Sequence, residues 1–147
     1  INRATKAGQF FGYPWKQGKT RMTDEGYDKD PLPANITDPQ VYMEAHAADL
    51  GLAFYTGKAF PAKYQGGLFS AQHGSWNRTT PIGARIMFTS LKADGTADKT
   101  EVFAEGWLDD TGLYRGRPVD VAMLKDGSML ISDDFAGALY RVTYTGN

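Results

Sequence analysis

Residues 116–144 read GRPVDVAMLKDGSMLISDDFAGALYRVTY, three short runs separated by turns. PVDVAMLKDG (118–127), SMLISDD (128–134) and GALYRVTY (137–144) are rich in β-branched and aromatic residues, and most alternate apolar with polar. Alternation puts every second side chain on one face of a strand, so each run predicts a half-buried strand. Lys125-Asp126-Gly127-Ser128 between the first two is a hairpin signal, because Asp-Gly accepts the positive φ of a tight turn.

The same texture extends upstream. LGLAFYTG (50–57), GGLFSAQ (66–72), GARIMFTSLK (83–92) and TEVFAEGWL (100–108) are further strand-like runs, with a turn at Ala93-Asp94-Gly95-Thr96. The two series resemble each other: Leu50–Tyr55 with Val119–Leu124, Gly67–Ala71 with Ser128–Ser132, Ala84–Leu91 with Ala138–Thr145. The offset is roughly 55–70 residues and not constant, a loose repeat of a strand-only unit. The expected fold class is all-β, part of a β-propeller with four-stranded antiparallel blades. A β-sandwich is the alternative, since it too shows regular turn signals. In the propeller reading, 1–49 is the end of a preceding blade plus a long loop, 50–108 is one full blade, and 118–147 supplies three strands of the last. The remaining blades of the same protein are then partners of this segment.

The first third carries little periodicity. INRATKAGQFFGYPW (1–15) ends in an aromatic cluster stopped by Pro14, and Lys16–Pro39 is polar and turn-rich, as expected of a surface excursion. A helix is conceivable only around Asp38–Asp49, with Asp38 as cap and Pro39 in the first turn. The start, Ile1-Asn2-Arg3, has neither initiator Met nor leader and reads as a processed or partial chain.

Composition narrows the chemistry. The 147 residues carry Lys+Arg 16 against Asp+Glu 17, net −1, which removes the case for nucleic-acid binding through a basic face. No apolar run approaches the roughly 20 residues of a membrane span. Absence of cysteine excludes disulfides, thiolate zinc sites and a cysteine nucleophile. Neither a glycine-rich phosphate loop nor a G-x-S-x-G elbow occurs, and His46 and His73 lack zinc-type spacing.

Consecutive antiparallel strands alternate direction, so their connections sort onto two ends. Gln72-His73-Gly74-Ser75-Trp76-Asn77-Arg78, the segment with Glu44 and His46, and Leu113-Tyr114-Arg115-Gly116-Arg117-Pro118 all fall on one end. Arginine forks grip planar carboxylates and an indole offers a stacking face, so that end suits a flat, anionic, aromatic ligand. Blander roles are open for each residue. A loop histidine can be structural, Trp76 can pack, and Arg115 and Arg117 can pair with Asp109, Asp110 or Asp120. Asp133-Asp134 can close a turn by accepting backbone N–H groups, and the methionines can be core.

NRATKAGQFFGYPW, AHAADLGLAFYTGKAFPAKYQGGLFSAQHGSWNRTTPIGAR, FAEGWL and GRPVDVAMLKDGSMLISDDFAGALYRVTY together resemble the C-terminal part of the glucose/sorbosone dehydrogenase family, most closely L-sorbosone dehydrogenase-like proteins. The resemblance implies a six-bladed propeller that oxidises a sugar with pyrroloquinoline quinone (PQQ) and calcium, exported to the periplasm or secreted. It implies cofactor contacts from His73, Trp76, Asn77, Arg78, Arg115 and Arg117, and a substrate contact from His46. Asn77 stands where relatives of the glucose-oxidising branch have lysine, which leaves Arg78 as the replacement contact. The family's catalytic histidine and calcium loop fall upstream of residue 1, so this segment alone is expected to be inactive, with no catalytic or metal residue of its own. Two rival roles stand beside the enzyme: a non-catalytic propeller domain that binds glycan or protein, and a structural relic.

Overall fold

The computed structural model describes residues 1–23 and 26–146. It divides into two compact units, Ile1–Met43 and Glu44–Asn147.

In the first unit, the polar stretch expected as an excursion holds a small hairpin, β1 (Lys16–Gln17) and β2 (Thr20–Arg21), turning at Gly18. Phe10, Trp15 and Tyr27 meet edge to face and form its apolar centre. Polar ties replace a larger core. Trp15 Nε1 donates to Asp30 (3.1 Å), Arg21 donates to the Tyr27 carbonyl (2.6 Å), and Lys16 Nζ pairs with Asp38 (2.6 Å). That last pair bears on the helix expected around Asp38–Asp49, which does not form. The carboxylate that would cap it is held by Lys16, His46 and Ala48 take positive φ (68° and 55°), and Asp49 opens a strand.

The second unit contains two antiparallel sheets and, among the described residues, no α-helix. β3 (Asp49–Phe54), β4 (Leu68–Gln72), β5 (Arg85–Leu91) and β6 (Ala97–Ala104) pair in chain order. β7 (Pro118–Met123), β8 (Met129–Asp133) and β9 (Ala138–Val142) form the second sheet, also in chain order. The all-β expectation holds. β6 differs from its sequence outline: it starts at Ala97, three residues before Thr100, and stops at Ala104. Gly106 (φ 121°) turns the chain there, and Trp107 packs edge to face on Tyr140 (5.5 Å) instead of continuing the ladder.

The core lies between the facing surfaces of the two sheets. Phe69, Ala71, Ile86 and Phe88 from the first meet Val121, Met129 and Ile131 from the second. Tyr55 and Phe60 stack at 4.8 Å, and Tyr64, on the one-turn 3₁₀ segment Ala62–Tyr64, closes the aromatic group. Of the methionines, Met87 and Met129 are buried and the others only half so. The opposite face of the four-stranded sheet is also apolar, yet Leu52 and Phe54 on it are half exposed. Close approach is built in where β3 meets β7: a Cβ on Gly51 would come within 2.6 Å of the Asp120 Cα.

The buried Tyr55 hydroxyl accepts from the Phe60 N–H and donates to the Gly127 carbonyl, both at 2.8 Å, tying the first sheet to the β7–β8 turn. Tyr55→Phe leaves both backbone groups buried and unpaired, so a loss of about 1–3 kcal/mol is expected. Urea unfolding of the two forms measures it, and an unchanged midpoint would mean that water replaces the hydroxyl.

Candidate functional site

The register fixes one end of the sheets. Asp49, Gln72 and Arg85 lie side by side across β3, β4 and β5, and Pro118, Asp133 and Ala138 across β7, β8 and β9. The loops leaving there are 45–48, 73–84, 105–117 and 134–137, which carry His46, His73, Trp76, Asn77, Arg78, Arg115 and Arg117.

Two of these loops are clamped together by side chains. Arg117 donates from Nε to the His73 carbonyl (2.9 Å) and from Nη2 to the Gly74 carbonyl (2.7 Å), with its guanidinium over the Tyr114 ring (4.9 Å). The Tyr114 hydroxyl accepts from the Ser75 N–H (2.8 Å) and donates to the Ile82 carbonyl (2.7 Å). Glycines make this possible. Gly74 has φ 96° and a Cβ there would sit 2.7 Å from the Tyr114 ring, while one on Gly116 would strike Asp133 and Trp107.

The two aspartates read together as turn-closers have separate jobs. Asp133 is buried and accepts from the Arg117 N–H (2.9 Å), the Ala136 N–H (2.8 Å) and the Tyr140 hydroxyl (3.0 Å), the backbone role expected of it. Asp134 is exposed and meets His73 Nε2 at 2.9 Å. That hydrogen bond holds the Asp134 carboxyl below the usual carboxylate range.

The remaining candidates differ in how far they are committed. Arg115 Nε pairs with Asp109 (2.7 Å), one of the surface pairs open from sequence, and its backbone N–H donates to the Trp107 carbonyl (2.7 Å), while its two Nη atoms have no partner among the described residues. The Thr111 hydroxyl, the Leu113 N–H and Arg115 together hold Asp109 far below the usual range. Arg117 has no carboxylate partner on its guanidinium among the described residues; its donors face carbonyls instead. Arg78 donates to the Ala45 carbonyl (3.1 Å) and the Thr80 carbonyl (3.2 Å), linking the loop to the turn that presents exposed His46. Trp76 is 82% exposed in this chain, and Asn77 is exposed beside it. A polar cleft of about 410 Å³ lies on the β5–β6 side of this end, where the Glu44–Arg85 pair faces Glu105 and Asp110.

Sequence reasoning missed Tyr114 and Asp134 as partners of the His73–Ser75 turn. Tyr114 beside the Arg-Gly-Arg segment was the available signal, but only the fold shows which loop it meets.

The TrAA12-like family model matches residues 2–145. The chain belongs to that family. A protein of Borreliella burgdorferi described as uncharacterized is 40% identical over 148 residues, covering 98% of this chain and 38% of its own length. The TrAA12-like chain thus spans well under half of that relative. Among solved structures, the calcium structure of a Trichoderma reesei protein of Carbohydrate-Active Enzymes Family AA12 superposes with TM-score 0.60 at 20% identity, over 74% of this chain and 27% of that one. The holo pyranose dehydrogenase PQQ domain of Coprinopsis cinerea gives 0.57 at 22%, over 76% and 30%. A glucose dehydrogenase gives 0.52 at 21%, over 78% and 28%. These likenesses show a shared fold. No helix among the described residues is long and apolar enough to cross a membrane.

Proposed function

We propose that this TrAA12-like chain is the C-terminal part of a quinoprotein sugar dehydrogenase, a sorbosone- or glucose-oxidising propeller whose cofactor is PQQ. The observation that carries it is the clamped loop end, where an exposed indole, a histidine and arginines with free donors gather. The solved relatives of like fold include a PQQ domain of a pyranose dehydrogenase. In this reading 50–108 is one blade, 118–147 gives three strands of the last, and 1–49 ends the preceding one. The half-exposed apolar face around Leu52 and Phe54 is the surface that another blade of the same protein would cover.

The donor set fits the group. Trp76 offers a flat face to a tricyclic quinone, and the free nitrogens of Arg115 offer a fork for a carboxylate, with Arg78 and Asn77 on the adjoining loop. His46, on its exposed turn, is assigned to the sugar. When bound, PQQ supplies a two-electron acceptor; the chain's own residues bind and orient. Arg117 and Tyr114 hold the His73–Ser75 turn, keeping Trp76 and His73 in fixed relation. In this reading calcium is held by segments upstream, as the family resemblance implies, and no step runs through it here. The sugar-oxidising role carries with it a periplasmic or secreted location.

Titrating the complete protein with PQQ by calorimetry tests the reading. Binding is expected, and Trp76→Ala should weaken it about 2–10-fold, the worth of one stacked ring. Retention of glycans with no PQQ binding would overturn it in favour of the non-catalytic binding domain, which an exposed indole also suits.

A further inference from the structure

His73 was expected to contact the cofactor, yet its surroundings suit a different group. Its Nε2 lies 2.9 Å from Asp134 Oδ1, and its Nδ1 has no partner among the described residues. The ring is partly open, with 20% of the side chain accessible. Its backbone is independent of that pair, because the His73 N–H donates to the Ala48 carbonyl (2.9 Å) and its carbonyl accepts from Arg117. The charged groups around it are accounted for. Asp133 is taken up by two backbone N–H groups and the Tyr140 hydroxyl, and the Arg117 guanidinium lies on carbonyls.

An ionised carboxylate only accepts hydrogen bonds, so Nε2 must carry the proton it shares with Asp134. In a neutral imidazole the other nitrogen is then a bare acceptor. A bare lone pair attracts a hydroxyl and repels a carboxylate. We propose that Asp134 is a positioning residue that fixes the Nε2–H tautomer of His73, so that Nδ1 accepts a hydrogen bond from a ligand hydroxyl and the residue contacts the polyol rather than the anionic cofactor. This rests on the sugar-oxidising reading above and narrows it: the pair belongs to the substrate side of the mouth. Trp76, three residues on, keeps its stacking role.

The test is nitrogen NMR of the complete protein with labelled histidine, at alkaline pH, with His73→Gln used to assign the His73 signals. The Nε2–H form of His73 is expected in about tenfold excess or more, as a charge-assisted bond demands. Asp134→Asn should shrink that excess several-fold without unfolding the chain. Two probes are then added in turn: D-glucose, and pyridine-2,6-dicarboxylate as a planar anion. Glucose should move the Nδ1 resonance of the native protein and the dicarboxylate should not. A majority Nδ1–H form, no change in Asp134→Asn, no response to glucose, or a response to the dicarboxylate each overturns the proposal. PQQ calorimetry is a separate readout. Failure of PQQ to bind, with the glucose response intact, removes the quinoprotein reading and leaves the hydroxyl contact standing.

Discussion

Phe69→Ala should cost the chain about 3–5 kcal/mol of folding free energy, the range for truncating a fully buried aromatic. Phe69 has no accessible surface, and its ring lies 4.7 Å from Phe103, 5.0 Å from Phe88, 5.8 Å from Tyr64 and 6.0 Å from Tyr55. Those four rings come from β6, β5, the 3₁₀ turn and the end of β3, so one side chain holds together the whole four-stranded sheet. The cavity left behind cannot collapse easily, because β4 is hydrogen-bonded on both edges. Against a typical total of about 5–15 kcal/mol, the loss removes a large share of stability. Urea unfolding measures it, with Leu139→Ala as control, since Leu139 is 72% exposed and its truncation should change little. A Phe69→Ala midpoint near that of the control would mean that neighbouring rings refill the space.

Arg117→Ala should lower stability by about 1.5–3 kcal/mol and loosen the loop end. The guanidinium bridges a loop of the first sheet to the start of β7 in the second, through the His73 and Gly74 carbonyls. Removing it leaves two half-buried carbonyls without donors and the Tyr114 ring without its cation. Arg117→Lys should recover little, because a point ammonium cannot reach two carbonyls and lie flat on the ring together. Hydrogen exchange of the Ser75 N–H, which bonds Tyr114, reads the loosening directly. If PQQ affinity falls while that exchange and the urea midpoint stay native, Arg117 touches the cofactor itself and the clamp role is wrong.

Much of the second unit was legible in the sequence. Alternation over 118–134 and the Asp-Gly turn place β7 and β8 almost to the residue, because the period-2 pattern is fixed by which face must be buried. Asp94-Gly95-Thr96 and Asp126-Gly127-Ser128 were equally local. In both, the aspartate accepts from the hydroxyl and N–H of the residue two places on, so the turn is encoded within its own few residues. The first unit was less legible, since its aromatic contacts and ion pairs join residues far apart in a polar stretch without period. There Lys16 takes Asp38 across 22 positions and removes the cap of the helix that local propensity allowed.

At the candidate site the division runs between placement and partnership. Strand order alone puts His46, His73, Trp76, Asn77, Arg78, Arg115 and Arg117 on one end, because antiparallel strands reverse direction one after another. What Arg115 and His73 do there depends on neighbours 6 and 61 positions away, Asp109 and Asp134. A sequence carries the charge of Arg117 but not the carbonyls that orient it. Those carbonyls come within reach where Gly74, lacking a side chain, lets the Tyr114 ring and its loop approach. Type and position are therefore properties of the chain, while direction and partner are set by packing, which no local pattern records.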